Sequence, residues 1–229
     1  MLFKEFLFPK FCLGCGKFGK FICTACVSQL FFLANQTCLY CYQVSFMGLT
    51  HPGCSRQDGI DGFVTVFKYN NLLKKIIKTI KYRLATDILD ELISLGANEI
   101  VEKLSFFLKL DLPVFFQAIP LHKQRLRERG FNQAELIINK LDSRIKISSC
   151  DLLVRIKNTS PQAQITDKRE RFSNLQGAFA VKPQIKQFSQ RAFFLVDDVV
   201  TTGSTVQEAA RSLKQHQAAK VYVFSLAKG

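Results

Sequence analysis

Acid is almost absent from the first quarter of this chain. Among residues 1 to 56 only Glu5 is acidic, against five basic residues, and residues 21 to 55 carry no charge of either sign. The gap in charge does not make a membrane span, because the cysteine pairs, Asn35, Gln36, Thr37 and Pro52 break the apolar run before it reaches about 18 residues. A secretory signal is also missing: the opening MLFKEFLFPKF carries Lys4 and Glu5 inside its apolar stretch and offers no small-residue cleavage site. These absences predict a cytoplasmic protein with no membrane span. Cysteine itself all but vanishes after residue 55. Seven of the eight precede it and Cys150 stands alone, which excludes a chain-wide disulfide framework and points to a local cysteine site. The larger part shows no internal repeat.

What is present is a composition able to bury a core, 48% hydrophobic and 22% charged, which excludes a disordered chain. The net charge of +14 divides into +4 over residues 1 to 56 (five basic, one acidic) and +10 over residues 57 to 229 (27 basic, 17 acidic). A surplus of that size attracts polyanions, nucleic acid or phosphorylated metabolites. At 229 residues a main core with a small appendage is expected. The composition changes at SRQDGIDG, which predicts a zinc-binding module over residues 1 to 56 and an α/β domain over residues 57 to 229.

In the larger part, FVTVFKY reads as a strand and Leu72 to Arg83 as a helix, with Leu73, Ile76, Ile77 and Ile80 on one face and Lys74, Lys78 and Lys81 on an exposed one. A second helical stretch runs from about Asp87 to Leu108. PVFFQAIPL reads as a buried strand leading into a loop, HKQRLRERG, and Asn132 caps a helix to about Leu141. CDLLVRI, the polar loop NTSPQAQITD, a short helix around KRERFSN, strands at GAFAV and FFLVDD, a helix from Ser204 to His216 and the strand KVYVFSLA complete the chain. Strands alternating with helices predict a mostly parallel sheet covered by helices.

The pairs Cys12/Cys15, Cys23/Cys26 and Cys38/Cys41 share the two-residue gap that turns both thiolates toward one metal, and His51/Cys54 repeats it with an imidazole. Eight ligands make two closed tetrahedral sites. Sequential pairing gives Cys12, Cys15, Cys23 and Cys26 to one zinc and Cys38, Cys41, His51 and Cys54 to the other; interleaved pairing is equally compatible with the spacing. With Glu5 the module's only acid, no carboxylate is at hand for catalysis, so the zinc is read as structural.

The run FFLVDDVVTTGST is a hydrophobic strand ending in two carboxylates and a small-residue turn that opens into a helix. Backbone N–H groups of such a turn, with the hydroxyls of Thr201, Thr202, Ser204 and Thr205, can cradle a phosphate at the helix N-terminus, and Gly203 lets the backbone approach it closely. Asp197 and Asp198 lie at the carboxyl end of the strand, where ligands bind open α/β sheets and where sugar hydroxyls could donate to them.

This segment resembles the phosphoribosyl pyrophosphate (PRPP) motif of the type I phosphoribosyltransferases. The resemblance implies a sheet of phosphoribosyltransferase type, with Asp197 and Asp198 on the ribose hydroxyls and Thr201 to Thr205 on the 5-phosphate. Together with IPLHKQRLRERGFNQAEL, VRIKNTSPQAQITDKRERFSNLQGAF and the leading double zinc module, nearly the whole chain is similar to the ComF family. That likeness implies Leu121, His122, Lys123 and Arg125 as the pyrophosphate loop, and Asn158 to Asp167 as a mobile loop with Arg155, Thr159 and Gln162 as candidate contacts. It also implies Mg²⁺ accompanying PRPP, whose charges Lys123, Arg125 and the aspartates would complement.

Two functions are open at this point. One is transfer of ribose 5-phosphate to a nitrogen nucleophile. The other, implied by the ComF likeness, is handling of single-stranded DNA in natural transformation, alongside other DNA-uptake or recombination proteins. Lys74, Lys78 and Lys81 are the candidate DNA contacts, within a stretch from Lys68 to Arg83 that holds six basic residues and no acid.

Overall fold

A computed structural model describes residues 9–82, 85–159, 173–183 and 188–229. Strand β1 (Gly62–Lys68) is buried at six successive positions and exposed only at Lys68, as a strand covered on both faces must be. Strands β2 (Val114–Ala118), β3 (Ser148–Cys150), β6 (Ala192–Val200) and β7 (Lys220–Lys228) join it in the order β1-β7-β6-β2-β3, and every neighbouring pair is parallel. Between β3 and β6 the chain adds a separate antiparallel ribbon, β4 (Leu153–Arg155) with β5 (Phe179–Val181). The fold is α/β with a mostly parallel sheet, as the alternation of elements predicts.

Alternation along each strand splits the core in two. Phe194 and Val196 of β6 face the helices α2 (Asn71–Tyr82), α3 (Ala85–Leu95), α4 (Ala97–Leu108) and α6 (Gln133–Asp142), whose apolar stripes supply Leu73, Ile76, Leu92, Leu104 and Ile137. Phe193 and Leu195 face the other way, onto Val206, Ala209, Ala210 and Leu213 of α7 (Ser204–Gln215). Phe194 lies at the centre of the first half, stacked on Phe116 and edge-on to Phe107 at centroid distances of 5.1 and 5.2 Å.

Two expectations change. The stretch from Asp87 to Leu108 is two helices that part at Gly96, where a Cβ would come within 2.9 Å of the Phe67 ring. The close approach of the helix junction to β1 requires glycine there. HKQRLRERG is a helix, α5 (Lys123–Arg129), fixed by its ends: His122 accepts from the Gln124 amide at the N-cap, and Gly130 closes the last turn at φ 79°. The helix expected around KRERFSN lies largely outside the described residues, as does Gln162.

The short helix α1 (Thr24–Val27) belongs to the cysteine-rich segment, which docks on β1. Leu33 N–H donates to Val66 O (2.9 Å), and Lys68 N–H donates to Phe31 O (2.8 Å). The Gln36 amide pairs with both backbone groups of Thr65, donating to its carbonyl at 3.0 Å and accepting from its N–H at 2.8 Å.

Candidate functional site

The eight metal-ligand candidates gather into two groups in chain order, Cys12, Cys15, Cys23 and Cys26, then Cys38, Cys41, His51 and Cys54, with the ligand atoms of each group within 4.8 Å of one another. Sequential pairing is therefore the one realised. The Cys15 and Cys23 sulfurs are 3.6 Å apart, close to the edge of about 3.8 Å for a tetrahedron with Zn–S bonds of about 2.3 Å. His51 fits its role: Nε2–H donates to Val44 O at 3.1 Å, which leaves Nδ1, 3.2 Å from Cys41 Sγ, as the ligand nitrogen. Burial pushes the Cys12 thiol up, but the amide N–H groups of Cys23, Cys15 and Gly14 outweigh it and bring it down to about 6. Cys38 is likewise raised by burial and brought down to about 7 by the amides of Cys41, His51 and Tyr40. Both groups thus carry a ready thiolate, and they fit two structural zinc ions.

At the other end of the molecule's chemistry, β6 delivers Asp197 and Asp198 to the carboxyl edge of the sheet. Each carboxylate accepts from the next amide, Asp197 Oδ1 from Asp198 N–H and Asp198 Oδ1 from Val199 N–H, both at 2.9 Å. Burial and the neighbouring Asp198 charge push the Asp197 carboxyl up to about 8. Lys81 reaches over from α2 to within 2.7 Å of Asp198 Oδ2, an ion pair by distance whose angle leaves that buried oxygen without an aligned hydrogen-bond donor. Beyond the strand, Thr202 and Ser204 hydroxyls bond each other at 2.9 Å, and Gly203 (φ 79°) stands at the N-cap of α7 with no side chain to cap it. The first-turn amides thus meet no cap from Gly203; that of Ser204 makes a long contact with the Thr202 hydroxyl at 3.5 Å, and the residues from Thr201 to Val206 line the cleft.

That cleft holds about 440 Å³ and is lined by Asp197, Asp198, the turn from Thr201 to Thr205, Leu121, Arg125 and Arg155. Lys74, Lys78 and Lys81 line it as well, so the basic stripe assigned to DNA is one wall of the same cleft, and Lys81 is half-buried where an exposed ammonium was expected. His122 and Lys123 are not among its lining residues; His122 caps α5 and Lys123 is exposed. Thr159 is buried behind the cleft, its hydroxyl accepting from Arg155 and its carbonyl from Arg125. Burial and the Arg125 charge lower Arg155 to about 10, and its Nε has no hydrogen-bond partner among the described residues.

Sequence reasoning missed Arg129, Asn132 and Gln133, all on the cleft. Arg129 donates to Gln133 Oε1 at 3.0 Å, while the buried Gln133 Nε2 has no hydrogen-bond partner among the described residues. The signal was Gly130 and Asn132 with only Phe131 between them, a helix stop and a helix start that make a tight joint beside β2. Six cations, Lys74, Lys78, Lys81, Arg125, Arg129 and Arg155, thus surround two carboxylates and an uncapped helix turn. Such a site is complementary in charge to an anion, and its carboxylates can accept from hydroxyl groups.

No family model matches the chain. It is 35% identical to Competence protein F of Haemophilus influenzae over 121 residues, 52% of either protein, so that match spans about half of the relative's length. It is 32% identical to the DNA utilization protein YhgH of Escherichia coli K12 over 164 residues, 71% of this chain and 70% of YhgH. Competence protein ComFC of Bacillus subtilis is 30% identical over 165 residues, 71% of this chain and 62% of ComFC. Among solved structures, a hypoxanthine phosphoribosyltransferase from Staphylococcus aureus overlaps 61% of the chain with a TM-score of 0.34 and 12% identity. By its identity to YhgH over more than two thirds of both proteins, the chain belongs to the ComF family.

Proposed function

We propose that this protein binds PRPP in the cleft and acts in DNA uptake, handling single-stranded DNA during natural transformation. One observation carries the ligand: a carboxylate pair and an uncapped helix turn face six cations across a single cleft. The 5-phosphate would rest on the amides and hydroxyls of Thr201 to Thr205, the ribose hydroxyls would donate to Asp197 and Asp198, and the diphosphate would meet Arg125, Arg129 and Arg155. The competence and DNA-utilization names of the relatives support the biological role.

Mg²⁺ suits the same corner. Hard carboxylate oxygens fit a hard cation, and Asp197 and Asp198 bring two carboxyl groups to one edge of the cleft, with Lys81 as the cation that an ion would displace or adjoin. Asp197 and Asp198 would hold the ion together with the ligand's own oxygens, and it would neutralise diphosphate charge. The protein's own side chains bind and orient the sugar and spread the negative charge of a departing diphosphate over three guanidinium groups.

The carboxyl edge of a sheet with a cationic diphosphate pocket also favours turnover, with a nitrogen nucleophile forming a bond to ribose C1 while the C1–O bond breaks and pyrophosphate leaves with the electron pair. Two measurements test both readings. PRPP with Mg²⁺ raises the melting temperature of the parent and not of the Asp197→Asn/Asp198→Asn double variant. Pyrophosphate release with single-stranded DNA present establishes turnover; a thermal shift without release leaves a binding protein. Equal shifts in parent and double variant would remove the ribose assignment.

A further inference from the structure

The second cysteine group and the phosphate turn are not separate features of the molecule. Leu39 sits inside the Cys38–Cys41 pair, is 1% exposed, and belongs to the same buried cluster as Val200, Val206, Ala209 and Ala210, the residues that flank the turn and form the first turns of α7. Its two terminal methyls lie 3.1 and 3.3 Å from where a Cβ on Gly203 would be, which puts them in direct contact with the backbone of the turn. Around Leu39 the knuckle is fastened on every side. Cys38 N–H donates to Gln43 O and Tyr42 N–H to Cys38 O, and Tyr40 OH accepts from Ile60 N–H at 2.8 Å. The C-terminal strand closes the seam: Lys228 Nζ donates to the Thr37 hydroxyl at 2.8 Å, and Gly229 N–H donates to Val200 O at 2.9 Å. Gly203 itself is in the left-handed region at φ 79°, a conformation that glycine adopts without strain, and the Leu39 methyls lie against it.

The first cysteine group stands elsewhere. Gly14 and Cys26 pack near Leu72 at the start of α2, and none of the three is among the residues that line the cleft or touch Gly203.

We infer that Leu39 is a positioning residue for the phosphate turn, and that the second metal group, by fixing the knuckle that carries Leu39, sets the affinity of the turn for a sugar 5-phosphate, while the first group does not. The inference rests on the reading of the cleft as a PRPP site. Metal at the Cys38, Cys41, His51 and Cys54 group holds Leu39 against Gly203; without it the turn loses its floor and its amides lose their common aim at one phosphate.

Isothermal titration of the full chain with PRPP and Mg²⁺, ribose 5-phosphate and inorganic pyrophosphate tests this, with zinc content measured on each variant. Leu39→Ala should weaken ribose 5-phosphate and PRPP by roughly tenfold or more while keeping both zinc ions and parental pyrophosphate binding. Leu39→Met, which conserves volume, should restore the parental affinity. Cys54→Ser should lose one zinc and reproduce the Leu39→Ala pattern, and Cys15→Ser should lose one zinc and bind like the parent. Unchanged ribose 5-phosphate binding in Leu39→Ala, or equal losses for pyrophosphate and ribose 5-phosphate, overturns the inference. A parent that binds neither PRPP nor ribose 5-phosphate overturns instead the reading of the cleft on which it rests.

Discussion

Lys81 Nζ and Asp198 Oδ2 are 2.7 Å apart, an ion pair between the helix after the first strand and the end of the central one, with side-chain exposures of 29% and 10%. Burial alone would lower the Lys81 ammonium's pKa; the Asp198 charge outweighs it and raises it above its ordinary value. The Asp198 carboxylate is thus already partnered from within the chain, and a ligand that takes hold of it must share it with Lys81 or displace it.

Removing one partner strands the other. Lys81→Met should destabilise the protein by about 1–3 kcal/mol, less than the loss for a fully buried pair because Lys81 keeps some solvent. Lys81→Met with Asp198→Asn should recover most of that loss. Urea unfolding of the two single variants, the double variant and the parent checks it, with a near-additive double variant as the contrary result.

Asp197 gives the folded state a pH signature. Its carboxyl is raised to about 8 by burial and by Asp198, so between the unfolded value near 3.8 and about 8 the folded state binds the extra proton. Stability is then greatest on the acid side and is lost as pH rises through the folded pKa. Asp197→Asn should therefore melt higher than the parent at pH 9, with the advantage shrinking toward pH 6, as thermal unfolding across that range would show. A gap that widens toward pH 6 would contradict the assignment.

Metal analysis should return two zinc ions per chain. Cys12→Ser should release one and loosen the cysteine-rich segment from β1, whereas Cys150→Ser should leave the count unchanged, since Cys150 lies on β3, outside both groups.

With Lys81 held by Asp198, Lys74 and Lys78 remain as the exposed lysines of the cleft wall. Lys74→Ala with Lys78→Ala should flatten the plot of log DNA affinity against log salt by about 1.4, at roughly 0.7 per single-strand phosphate contact. Because these lysines share the cleft with the turn from Thr201 to Thr205, the proposed PRPP site, saturating PRPP should also weaken binding of a labelled oligonucleotide, and the oligonucleotide should weaken PRPP by the same factor. Anisotropy at several salt concentrations reads both effects; additive, independent binding would place the DNA elsewhere.

What could be read in advance was whatever the chain writes locally. The strand, carboxylates, turn and helix of residues 192–215 follow one another without interruption, and the four metal-binding pairs announce themselves by spacing. What could not be read depends on a partner distant in sequence. Helical periodicity puts Lys81 on the polar face of α2 but says nothing of Asp198 lying opposite. The break at Gly96 needs the Phe67 ring to explain it, and Leu39 looked like one more apolar residue between two cysteines until Gly203 came beneath it. HKQRLRERG passed for a loop because it has hardly any apolar periodicity; its helix is set by His122 and Gly130 at the ends.

The pairing of Gln36 with Thr65 has a consequence for how the protein keeps company with itself. β1 is the outermost strand of the sheet, and its free edge would be a template on which a second chain could lay its own backbone. Gln36 presents a side-chain amide in the place where a peptide group of such an intruder would sit, and Leu33 and Phe31 occupy the positions to one side. The cysteine-rich segment thereby acts as a decoy neighbour, one that satisfies the edge and ends the sheet. Stripping the metal would take that neighbour away and leave the β1 edge open to the backbone of another chain.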